Sequence, residues 1–123
     1  MLNTAEKIEQ RSFNQPTEVR TFDKGRVELV NVGGSVIGRA TFEPGWQWSK
    51  CVKPLSKTGS CESSHLVCQV SGTMRIRMDD GVEFTCGPGD VVKIPAGHDA
   101  WVEGNERAVV VDFQGMADYA KKK

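Results

Sequence analysis

The chain has 123 residues, with sixteen Lys and Arg against sixteen Asp and Glu, so its formal net charge is zero. Without a basic excess to displace counterions from phosphates, nucleic acid is not an expected partner. No apolar run approaches the length of a bilayer span, so no membrane is expected either. With 38% hydrophobic and 26% charged residues, the composition is that of one ordinary globular domain.

Residues 1–24 read as a polar N-terminal arm, in which "TAEKIEQR" offers a weak helix capped by Thr4. From residue 25 to 115 the pattern is that of strands. "RVELVNV" alternates Val27 and Leu29 with Glu28, and "VIGRATF" follows a Gly-Gly-Ser turn. The segment from Trp46 to Ser64 is irregular, and long irregular loops in compact domains are often functional. "HLVCQV" is a β-branched run stopped by Ser71-Gly72, and "TMRIRM" puts Met74, Ile76 and Met78 on one face with Arg75 and Arg77 on the other, solvated one. "DDG" is a hairpin turn. "VEFTC", "VVKI", "HDAWV" and "AVVVDF" complete the series, and residues 116–123 form a C-terminal tail. Short strands separated by Gly, Pro and Asp turns predict an all-β sandwich or barrel.

The N-terminus lacks the apolar core of a secretory signal, so a cytoplasmic location is expected. There the four cysteines should be reduced. No CxxC pair occurs among them, and Cys68 and Cys86 read as small buried hydrophobes.

The stretch "GDVVKIPAGHDAW" resembles the second motif of the cupin family, in which a glycine is followed after five residues by Pro-x-Gly; Gly89, Pro95 and Gly97 stand in those places. Gly72 matches the glycine that closes the first motif, and the resemblance spans roughly residues 25 to 113. It implies a small jelly roll, the double-stranded β-helix barrel of the cupins. Edge strands of such barrels are commonly covered by a second subunit, so a homodimer is expected.

The family's four ligand positions read Gly59, Cys61, His65 and Ala100 here, two of which cannot hold metal. Strand alternation partly repairs this, because His98 shares a face with Ala100, and Cys61 shares one with His65 if the chain between them is extended. These are the two histidines of the sequence. A thiolate with two imidazoles suits a divalent ion, zinc or iron above all, with one position open. Cys61, His65 and His98 are therefore the candidate metal ligands, and Trp46, Trp48 and Trp101 the candidate lining of a small-molecule cavity. Asp99 should face the other way, as a supporting or turn residue. Three functions stay open: a binding module for metal or small molecule, a metal-dependent oxygenase, isomerase or hydrolase, and a structural domain whose histidines are core residues.

Overall fold

Nine strands and two single-turn helices follow one another along the part of the chain that the computed structural model describes, residues 6–59, 61–117 and 119–120. They are β1 (Glu18–Phe22), β2 (Gly25–Val32), β3 (Ser35–Phe42), α1 (Trp48–Cys51), α2 (Lys53–Ser56), β4 (His65–Ser71), β5 (Met74–Met78), β6 (Glu83–Cys86), β7 (Val91–Ile94), β8 (His98–Val102) and β9 (Ala108–Asp112). All strand pairs are antiparallel. A six-stranded sheet runs β1-β2-β3-β9-β4-β7 and a three-stranded sheet β6-β5-β8.

The alternation read from the sequence is what faces the sheets toward each other. Met74 and Ile76 on β5 and Ala100 and Val102 on β8 are buried, as are Val67 on β4 and Val110 on β9, and all six join one core. On the opposite face of β5, Arg75 pairs with Glu83 at 2.7 Å, and Arg77 is exposed. Both arginines are therefore outside the barrel, as their alternation requires. The all-β jelly roll expected from the sequence is the architecture observed.

The two ends are more structured than the sequence suggests. Within the expected arm, "EVRTF" forms β1, pairs with β2 and packs Phe22 against Phe42 and Trp46, with ring centroids 6.0 and 6.3 Å apart. An edge strand half open to water leaves only a weak alternation, which is why β1 was not anticipated. The weak helix does not form over residues 6–11, and its proposed cap, Thr4, lies outside the described residues. At the other end, Met116 and Tyr119 are buried in the core. The Arg20 guanidinium donates to the carbonyls of Met116 (3.0 Å), Ala117 (2.8 Å) and Tyr119 (2.7 Å), holding the turn after β9 down onto the barrel. Hydrogen bonds from a charged donor contribute more than neutral ones. Arg20→Ala is therefore expected to cost about 2–3 kcal/mol of unfolding free energy, with hydrogen exchange at residues 114–117 speeding up before that of the central strands.

The irregular segment contains α1 and α2, the second ending at Lys57 in the left-handed region (φ 61°). The first turn of α1 is capped from a distance. Asp99 Oδ1 accepts from the Ser49 amide at 3.0 Å, and its Oδ2 accepts from the Gln47 side chain at 2.8 Å. Asp99 thus faces away from the cavity and fixes the loop, the role its alternation predicted.

Candidate metal centre

His65 opens β4, with Ile94 of β7 opposite it, and the next inward position on that strand, Val67, lies across from Asp112 at the end of β9. The register brings the His65 ring beside the Asp112 carboxylate, with Nδ1 donating to Oδ2 at 2.5 Å. Asp112 is fully buried, and its other oxygen accepts the amides of Gln114 (2.9 Å) and Leu66 (3.4 Å). The turn after β9 can close this tightly only with glycine at position 115. Its φ is +91°, and a Cβ there would lie 2.1 Å from the Ser64 carbonyl oxygen and 3.1 Å from His65 Nδ1.

His98 is delivered by the Pro95-Ala96-Gly97 corner, where Gly97 adopts φ +88°. Its Nδ1 donates to the Pro95 carbonyl at 2.7 Å. Cys61 is tied to the same corner through its backbone. Its amide donates to the His98 carbonyl (2.8 Å), and its carbonyl accepts from the Gly97 amide (2.7 Å). The thiol then sits 3.6 Å from His65 Nε2. One donor atom from each of Cys61, His65 and His98 lies within 4.8 Å of the other two, and all three residues are buried. The structure thus brings together the three residues singled out from the sequence.

With Nδ1 of both rings committed as donors, each imidazole in its neutral form has Nε2 as its lone-pair nitrogen. Fixing the far nitrogen in this way sets the tautomer and orientation that metal ligation requires. The 3.6 Å between Cys61 Sγ and His65 Nε2 also agrees with the edge of a tetrahedron whose legs are about 2.3 Å to sulfur and about 2.0 Å to nitrogen. The residues present fit a divalent transition ion, and in donor type they fit zinc or iron better than a hard cation such as magnesium.

Burial by itself pushes the Cys61 thiol up. The hydrogen bonds and charges of His65 and His98 outweigh it and bring the thiol from 9.0 down to about 6. Burial likewise pushes His65 down, but Asp112 and Cys61 raise it from 6.5 to about 9. Without metal, the pair is an imidazolium–thiolate. The His65 contribution to stability is complete below 6.5 and fades as pH rises through about 9; that of Cys61 is complete above 9.0 and fades as pH falls through about 6. Between those limits the two oppose, because the folded pair and its separated partners hold the same number of protons. Ultraviolet thiolate absorbance of the metal-free protein should accordingly persist down to about pH 6. In His65→Ala the midpoint should move well above that, because burial is left with less to oppose it.

Beside His65 and His98 lies a cavity of about 50 Å³ between the sheets. Cys61 instead borders a second pocket, with Trp48, Glu62 and Tyr119. Trp46 and Trp48 line the first cavity, as expected, stacked among Phe42, Met74, Ile76 and Tyr119. The Trp46 indole nitrogen is buried there without a hydrogen-bond partner. Trp101 does not line the cavity. It alternates to the outer face of β8, half-buried and opposite Arg75, as the odd step from His98 and Ala100 dictates. Cys86 is a buried wall residue, whereas Cys68 is half-buried on the outer face of β4. All four cysteines are free thiols.

Sequence reasoning missed Asp112. Its signal was present in "AVVVDF", where a lone carboxylate ends an otherwise apolar buried strand, a place where charge persists only with a partner.

No protein-family model matches the chain, and no curated protein is detectably similar to it. Solved structures do match in fold. A protein of unknown function from Rhizobium leguminosarum superposes with a TM-score of 0.62 at 18% identity, covering 89% of this chain and 99% of its own. A cupin-like protein from Thermotoga maritima gives 0.54 at 17% identity, over 91% and 83% of the two chains. Oxalate decarboxylase from Lactobacillus farciminis, in complex with formate, gives 0.59 at 17% identity over 83% of this chain but 32% of its own, so this chain corresponds to about a third of that enzyme. These likenesses establish a cupin-type fold. Among the described residues, no helix is long and apolar enough to cross a membrane.

Proposed function

We propose that this cupin-fold chain is a metal-binding module, holding one divalent transition ion through Cys61 Sγ, His65 Nε2 and His98 Nε2, beside the small cavity that the two histidines line. The observation that carries this reading is the double commitment of Nδ1, His65 to Asp112 and His98 to Pro95. A catalytic cysteine needs only one basic imidazole; two rings with fixed tautomers beside one thiol are the pattern of a coordination site. Zinc and iron are the proposed ions.

A bound ion would supply Lewis acidity at one open position. The chain's own residues do the rest. Asp112 holds His65 in orientation, the corner holds His98, and the apolar walls exclude water. That same open position favours a second reading, a small metalloenzyme. Among the described residues lining the cavity, however, the carboxylate present is Asp112, and it is already committed to His65 and two amides. Glu62 is exposed and Asp99 caps α1, so neither serves as a general base inside. Binding of metal and of a small molecule is therefore the reading preferred.

Elemental analysis of protein purified without an affinity tag should find about one zinc or iron per chain, falling to near zero in His98→Ala. Equal metal content in the two proteins would overturn the assignment.

A further inference from the structure

Resting on the small-molecule part of that reading and not on the ion, we propose that Trp46 is the recognition residue of the cavity, its indole N–H meeting an acceptor oxygen, of a ketone or a carboxylate, on a ligand of only a few non-hydrogen atoms. Trp46 is 2% exposed, and among the described residues its Nε1 is the one buried side-chain nitrogen or oxygen without a hydrogen-bond partner. The ring is not free to turn and find one. Its amide donates to the Glu43 carbonyl (3.0 Å), its carbonyl accepts from the Val102 amide (3.0 Å), and the indole lies against Phe42 with ring centroids 4.0 Å apart. A buried donor left unpaired forfeits the hydrogen bond that water gives it in the unfolded chain, so such groups in native proteins ordinarily have a partner. For Trp46 that partner has to come from outside the chain.

The rest of the wall decides what carries that oxygen. Val67, Met74, Ile76 and Val110 make much of it apolar, and Gln69 in the same wall spends its amide nitrogen on the carbonyls of Ser71 (2.9 Å) and Gly72 (3.4 Å). A buried water needs two to four polar partners, and apolar side chains supply none. An oxygen carried on a short carbon frame meets the N–H at one end and fills apolar space with the other. Size sets the second limit. One water occupies roughly 10–15 Å³ by the measure that gives this cavity about 50 Å³, so it admits roughly three to five non-hydrogen atoms. A ketone and a carboxylate share the acceptor that an indole N–H requires, since that group donates and never accepts.

The test follows the Trp46 indole N–H signal by NMR in the full chain labelled with nitrogen-15 tryptophan, with and without added zinc. Trp46→Phe identifies that signal among those of the three tryptophans. Acetone, acetate and isobutene are the probes; they share one shape and one number of heavy atoms, and isobutene has no oxygen. Acetone or acetate should move the Trp46 signal downfield and saturate it, binding about five- to tenfold more tightly than isobutene, the worth of one hydrogen bond. The tighter of the two oxygen probes gives the charge of the ligand class. In Trp46→Phe, followed through the Ile76 methyl signals, the advantage over isobutene should shrink to within about twofold. Isobutene binding as tightly as both oxygen probes, or an advantage that survives Trp46→Phe, would overturn the inference while leaving a small-molecule cavity standing. A chain that binds none of the three overturns the small-molecule reading and the inference with it, whereas metal content, measured separately, decides on the ion. If Trp46→Phe does not fold, the wild-type ranking decides, with the Trp46 signal identified by its cross-relaxation with the Phe42 ring.

Discussion

His65→Ala should lower the unfolding free energy of the metal-free protein by about 3–5 kcal/mol, the range for removing one partner of a buried charged pair. The cost comes mainly from Asp112, which has no exposed surface and would keep its two amide donors but lose the ring that meets its charge. Urea denaturation of the parent and the variant measures it. The double variant His65→Ala/Asp112→Ala should lose less than the sum of the two single variants, since the second change removes the charge that the first left unpaired. Additive losses would mean that His65 and Asp112 do not act as a pair.

Cys61→Ala should weaken metal binding more than about 100-fold, whereas Asp112→Asn, which touches the metal only through His65, should fall in the range of about 10–100-fold for supporting residues. Competition against a chelator of known affinity reads both. The comparison separates a ligand from a wall residue, because a thiol that merely lined the cavity would leave affinity almost unchanged on truncation. A Cys61→Ala protein binding zinc as tightly as the parent would reduce the site to two imidazoles.

Much of this arrangement was legible in the residues. The turn chemistry of "DDG" and the period of two in "TMRIRM" and "HDAWV" placed β5 to β8 almost residue by residue, and the same parity put His98 on the inner face. Applied one step further along "HDAWV", it would also have placed Trp101 outside. What could not be read was pairing at a distance. Asp112 is 47 residues from His65 and looks like an ordinary polar stop to an apolar strand until the register of β4 with β9 is known. The direction of Cys61 is set by backbone bonds to the His98 corner, which no local pattern encodes. β1 hides for a different reason, since a half-exposed edge strand such as "EVRTF" carries little hydrophobic contrast.

The three donor residues do not share one sheet. His65 starts a strand of the six-stranded layer, His98 starts one of the three-stranded layer, and Cys61 is fastened to the latter. An ion held among them would be a rivet between the two halves of the barrel, and the halves could not part without losing it. Ion uptake then becomes a signal that folding is complete, since no fragment holding only one layer offers the full set of donors.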